Sequence, residues 1–141
     1  MDETIFTSCL EKQDRLRALF LSCKTAEERY KKIIEIGKAL PPLNAEERKE
    51  ATLVPGCQSL LYLYAKKTEE IILFKCSADA LISAGLAGLL IAVYSQEPKS
   101  ALFKCPPHFL QDIHLYNLLS PGRSNGLASI YRTMKIQAVA T

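Results

Sequence analysis

Two β-rich runs follow one another in residues 59–77, and nothing else in the chain resembles them. In the first, Leu61, Leu63 and Ala65 alternate with Tyr62, Tyr64 and Lys66, so one face is apolar and the other meets water. Lys67, Thr68 and Glu69 then turn the chain into Glu70-Ile71-Ile72-Leu73-Phe74-Lys75-Cys76, which reads as the returning arm of an antiparallel hairpin. Helical patterns lie before and after it, with no β-α-β alternation to build a parallel sheet. The expected class is therefore α+β, a small antiparallel sheet with helices packed against it. The 141 residues fit one domain with one ordinary core.

The helices show in their periodicity and their ends. Phe6, Cys9, Leu10, Leu16, Leu19 and Phe20 form an apolar stripe over about residues 4–22. Thr25-Ala26-Glu27-Glu28 reads as a capping box. The helix it opens turns Tyr30, Ile33, Ile34 and Ile36 inward and stops near Leu40, because Pro41 and Pro42 cannot continue the ladder. The polar residues 43–52 suit a solvated loop or short helix. Residues 80–94 are the most apolar stretch, too short for a membrane span of about 20 residues. They form a buried helix that Ser77 or Asp79 can cap. Its Ala84, Gly88 and Ala92 recur every four residues as a smooth face for packing on the hairpin. A Pro-interrupted region at 97–107 leads to a short helix near 108–118 and a turn at 120–126. A last helix follows, with Leu127, Ile130, Tyr131 and Met134 on its inner stripe and Arg132 and Lys135 outside.

The net charge of +3 is spread over interspersed acids and bases, which gives no basic tract for nucleic acid. The start, Met1-Asp2-Glu3-Thr4, lacks the basic and apolar regions of a secretory signal. Five cysteines, Cys9, Cys23, Cys57, Cys76 and Cys105, make an odd count that favours free thiols in a reducing compartment. Their spacings match no zinc module, and His108 and His114 do not complete one. Cysteines usually pack as small hydrophobes, and that is the expectation for Cys9, Cys23, Cys76 and Cys105.

Cys57 stands apart in Val54-Pro55-Gly56-Cys57-Gln58-Ser59. Pro55 stiffens the approach, and Gly56 admits backbone angles closed to other residues. A loop of this kind can present a sulfur at the end of the hairpin. The thiolate is the reactive form, and a nearby cation or backbone N–H groups favour it. Catalytic partners are scarce. His114, read as lying in an apolar helix, is a poor base for Cys57. The chain has no Gly-rich phosphate loop, no HExxH and no Rossmann fingerprint. Such a thiol is better suited to accept a group than to drive a reaction alone.

At this point the residues resemble a known family. The run from Val54 to Ser59 is similar to the V-x-G-C-Q-S signature of the SufE family, sulfur acceptors of iron–sulfur cluster assembly. Ile33-Ile34-Glu35-Ile36-Gly37 and Leu40-Pro41 resemble the family's I-I-x-L-G…L-P. Asp79-Ala80 with Gly85-Leu86 resembles its D-A-x-I-x-x-G-L helix, and Ser120-Pro121-Gly122-Arg123-Ser124-Asn125-Gly126 its S/T-P-x-R-S-x-G turn.

The resemblance implies a single SufE-like domain, residues 1–141, with the fold shared by IscU-type scaffolds. It implies a cytoplasmic protein that docks on a SufS-type cysteine desulfurase. Cys57 would take persulfide sulfur, stimulate the desulfurase and pass the sulfur to a scaffold complex of SufB type. It implies a carrier and activator rather than an enzyme, with pyridoxal phosphate in the partner, no cofactor or metal of its own, and no nucleic-acid or membrane partner. A homodimer is left open. Gly56, Gln58, Ser59, Asp79 and Arg123 support the loop or the partner contact in this reading, and the Arg123 charge favours an anionic sulfur nearby. Asp79 serves equally as an N-cap. The chain departs from the family at Leu60-Leu61-Tyr62, where Gln-Val-Trp is usual, at Thr52, and at Ser83 and Ala84 in the apolar helix. An IscU-like cluster or metal scaffold is the alternative, motivated by the shared fold and the several thiols. An independent thiol enzyme is a third reading.

Overall fold

The computed structural model describes residues 6–140. The element order is α1 (Thr7–Leu21), α2 (Ala26–Lys38), α3 (Ala45–Glu50), β1 (Thr52–Leu53), β2 (Leu61–Thr68), β3 (Ile71–Ala78), α4 (Leu81–Tyr94), α5 (Ser100–Lys104), α6 (Phe109–Asp112), α7 (Leu115–Leu118) and α8 (Pro121–Ala140). The fold is α+β: a three-stranded antiparallel sheet of order β1-β2-β3 with helices packed on it.

The hairpin runs from Leu61 paired with Ala78 to Thr68 paired with Ile71. It closes on Glu69 and Glu70, one residue later than the pattern places it, with Glu69 at φ 54°. Leu61 and Leu63 are buried, as the alternation predicts. Tyr64, expected on the wet face, is also buried. The polar helix α3 lies across that face, and Lys75, the cross-strand partner of Tyr64, meets Glu47 of α3 at 2.9 Å. A second capping box starts α3: Asn44 Oδ1 accepts from Glu47 N at 2.8 Å, and Glu47 Oε1 accepts from Asn44 N at 2.9 Å.

The Thr25–Glu28 capping box is formed as read, with both reciprocal bonds at 3.1 Å. In α2 Ile33 is buried, but Tyr30 points out. In α1 the inward row is Cys9, Gln13, Leu16 and Phe20, while Leu10 and Leu19 face solvent. Gln13 takes the inner place because its amide satisfies loop backbone, donating to Pro106 O at 3.1 Å and accepting from Phe109 N at 3.3 Å. A buried polar group so paired escapes the desolvation cost that hydropathy alone assigns it. The first residues of the expected helix at 4–22 lie outside the described residues.

Helix α4 is buried nearly all round and is the axis of the molecule. Neither Ser77 nor Asp79 caps it: the N-cap is Ala80, with no side-chain bond. Its small residues meet α2 rather than the hairpin. A Cβ on Gly85 would lie 2.1 Å from Ile33 O, and one on Gly37 of α2 would lie 2.7 Å from Gly85 N. The two backbones touch at this crossing, a spacing that glycine permits. Ala92, part of the expected smooth face, is exposed.

The chain after α4 departs furthest from its sequence pattern. The single helix expected at 108–118 is two short pieces, α6 and α7, broken at His114, which has φ 57°. The expected turn at 120–126 is instead the start of α8. Ser120 Oγ accepts from Arg123 N at 3.2 Å, and Pro121 takes the first helical position, where its missing N–H costs nothing. Leu127, Ile130 and Met134 of α8 are buried as predicted, and Gln137 Nε2 donates to Leu63 O at 2.8 Å, fixing α8 to β2. Among the described residues no helix is long and apolar enough to cross a membrane.

Candidate functional site

The loop between β1 and β2 carries Cys57. Val54 N donates to Leu61 O at 2.9 Å at its base, so the loop leaves and re-enters the same sheet. Gly56 has φ 78°, in the left-handed region that a side chain would strain. On the far side, Asp79 Oδ1 accepts from Leu60 N at 3.0 Å and Asp79 N donates to Leu60 O at 3.1 Å. The carboxylate that a sequence reading assigns to capping thus clamps the end of the cysteine loop to the end of β3.

The loop rests on the first turns of α8. A Cβ on Gly122 would meet the Gln58 side chain at 2.3 Å, and one on Gly126 would meet Cys57 Sγ at 3.6 Å. Cys57 is half-buried, and its thiol reaches Gly126 O at 3.9 Å, a long and weak contact. Beneath it is a niche of about 10 Å³ lined by Cys57, Gln58, Ser83, Leu86, Arg123 and Ile130, among others. That volume is close to one water-sized sphere. It cannot enclose a free amino acid, but a single extra atom on Cys57 is of the right scale.

Two hydroxyls and a guanidinium form a chain beside the niche. Ser59 Oγ donates to Ser83 Oγ at 2.6 Å, and Arg123 Nη1 donates to the same oxygen at 2.7 Å. Burial pushes the Cys57 thiol above its ordinary pKa, and the Arg123 charge pulls it part of the way back. Desolvation wins, so the resting sulfur is a protonated thiol at neutral pH.

Alkylation reads that balance directly. The reaction of Cys57 with iodoacetamide tracks the thiolate, so its rate should rise with pH to a half-point above that of a free cysteine, about 8.5. Arg123→Ala removes the lowering influence and should move the half-point further up. A half-point below that of free cysteine, or no movement in the variant, would contradict the balance.

The family model described as SufE: Fe-S metabolism associated domain matches residues 14–138. The chain belongs to the SufE family. That family is associated with iron–sulfur metabolism. A solution structure described as that of a hypothetical protein from Thermus thermophilus is also similar, with a TM-score of 0.77 and 22% identity. The match covers 92% of this chain and 97% of that one, and at such identity the likeness is one of fold.

In this SufE-family chain the residues singled out by sequence converge: Gly56, Cys57, Gln58 and Ser59 on the loop, Asp79 at its end, and Arg123 beside it. Ser83, Leu86, Gly122, Gly126 and Ile130 complete the niche without having been assigned to it. Ser83 carried a signal, since it is a hydroxyl inside an otherwise apolar helix and a departure from the family pattern. Of the remaining cysteines, Cys9, Cys76 and Cys105 are buried as expected, while Cys23 is only half-buried at the end of α1. His114 is exposed at the break before α7 and not in an apolar helix. Neither histidine lines the niche.

Proposed function

We propose that this protein accepts sulfur on Cys57 from a cysteine desulfurase of SufS type and passes it to a cluster-assembly scaffold of SufB type. In the first step the Cys57 thiolate attacks the outer sulfur of the donor's cysteine persulfide. The donor's S–S bond breaks, its cysteine leaves as thiolate, and Cys57 becomes the persulfide. The sulfane sulfur changes carrier, the proton balance stays within the two thiols, and no external oxidant or reductant is needed. In the second step the same exchange runs from Cys57 to the recipient.

The observation that carries this reading is the cysteine's setting. Cys57 sits on a bend over a niche of about 10 Å³ that no histidine lines, with Arg123 as the neighbouring charge. The setting supports holding one additional sulfur atom more than it supports binding and turning over a small substrate. The surroundings favour a protein as the donor. Leu60 adjoins the loop, Leu53 pairs with Tyr62 across β1 and β2, and Leu81 lies two residues past Asp79; all four are exposed. Apolar side chains grouped in this way suit a docking surface. Pyridoxal phosphate belongs to the partner in this reading, and free thiols at all five cysteines suit a reducing cytoplasm. A cluster scaffold of IscU type is less well supported, because among the described residues no three His, Cys, Asp or Glu side chains converge.

The test is the turnover of a SufS-type desulfurase on cysteine, with reductant, with and without this protein. Activation predicts faster alanine and sulfide release when the protein is added. Unchanged turnover across a saturating range of concentrations would contradict it.

A further inference from the structure

Helix α4 is apolar along almost its whole length, yet in its first turn it places the hydroxyl of Ser83 in the interior with 4% of the residue's surface exposed. A serine inside a helix ordinarily turns its hydroxyl to solvent or back to its own helix. Ser83 Oγ instead accepts from two donors on other elements, Ser59 Oγ of the cysteine loop at 2.6 Å and Arg123 Nη1 of α8 at 2.7 Å. Both lone pairs of the oxygen are thereby used. The helix that holds it cannot shift easily, because Gly85, two residues on, is in backbone contact with Ile33. Ser83 Oγ is therefore a fixed point, and Arg123 is tied to the core of the molecule rather than to the loop that carries the cysteine.

We infer that Ser83 is a positioning residue for sulfur acceptance: by fixing Arg123 Nη1 it keeps the guanidinium charge at the niche of Cys57. Arginine has a long side chain with costly rotamer freedom, and a charge that swings away from the niche loses its influence on the sulfur. Without the Ser83 oxygen, Arg123 sits partly in solvent, and Cys57 is left with burial unopposed. Ser83 acts through the position of Arg123 and supplies no group to the sulfur exchange itself. Its importance for sulfur transfer rests on the function proposed above, but its effect on Cys57 does not.

The test therefore uses no desulfurase. The rate of Cys57 alkylation by iodoacetamide is followed against pH by mass spectrometry of the Cys57 peptide, in the intact protein and in Ser83→Ala, Arg123→Ala and the double variant. In Ser83→Ala the half-point should move up, and the rate near neutral pH should fall about three- to tenfold, the scale of one ordinary hydrogen bond. In the Arg123→Ala background, Ser83→Ala should add nothing. If the single variant fails to unfold cooperatively in urea, Ser83→Cys, close to serine in size but with only a weak acceptor, is compared in its place. An unchanged profile in the Ser83 variant would overturn the inference. An equal shift with and without Arg123 would do so too, since Ser83 would then act on Cys57 through packing alone.

Discussion

Replacing Gly85 by alanine should cost several kcal/mol and strongly lower the urea midpoint of unfolding. The added Cβ would stand 2.1 Å from Ile33 O and 2.5 Å from Ile33 Cγ2. The first of these is a backbone atom, so relief requires moving α2 away from α4 rather than turning a side chain. Overpacking costs about 1–3 kcal/mol and more where backbone must shift, against a total stability of about 5–15 kcal/mol. The gain of about 1 kcal/mol in helix propensity from Gly to Ala is too small to offset it. Gly88→Ala makes the comparison, because its Cβ would meet a side-chain atom first, the Ile36 Cγ2 methyl at 2.7 Å, with the nearest backbone atom, Ile36 O, at 3.7 Å. Chemical denaturation should rank Gly85→Ala well below Gly88→Ala. Equal midpoints would mean that the two helices do not cross in backbone contact. The site has a stake in this crossing, since α4 brings both Ser83 and Leu86 to the niche.

The second large effect is functional. Cys57→Ser should reduce desulfurase stimulation to the level of the desulfurase alone while leaving the fold intact. The Cys57 thiol makes a single long contact, 3.9 Å to Gly126 O, so a hydroxyl in its place disturbs little. A serine hydroxyl is far less acidic and less nucleophilic than a thiol, and it cannot take a persulfide sulfur. Cys23→Ser changes another partly exposed thiol, at the end of α1, and should retain full stimulation. Residual stimulation by Cys57→Ser, measured as alanine release, would mean that docking alone accelerates the desulfurase.

The hairpin and the capping boxes are readable in the sequence because their signals are local. Alternation over Leu61 to Ala65 and the Thr25–Glu28 spacing each act within a few residues. Cys57 stands out for the same reason, through Pro55 and Gly56 on its own bend. The start of α8 reads as a turn because Gly122, Ser124, Asn125 and Gly126 are poor helix formers. Packing explains one of them, as Gly122 makes room for the Gln58 side chain. Ser120 and Pro121 do mark the helix start, and weighing them above the glycines would find it. Gln13 and Ser83 show the harder limit. Each is a polar residue whose place inside depends on partners distant in sequence: Pro106 and Phe109 for Gln13, Ser59 and Arg123 for Ser83. No periodicity in α1 or α4 contains that information. The direction of the pKa shift at Cys57 is hidden too, because its burial outweighs the arginine that by itself favours the anion.

Sulfur acceptance at Cys57 comes down to one mass. The protein is incubated with a SufS-type desulfurase and cysteine, trapped by alkylation without reductant, and digested. The peptide carrying Cys57 should gain one sulfur atom, and the peptides carrying Cys9, Cys23, Cys76 and Cys105 should not. A desulfurase that turns over while the Cys57 peptide stays at its original mass would contradict the proposed function.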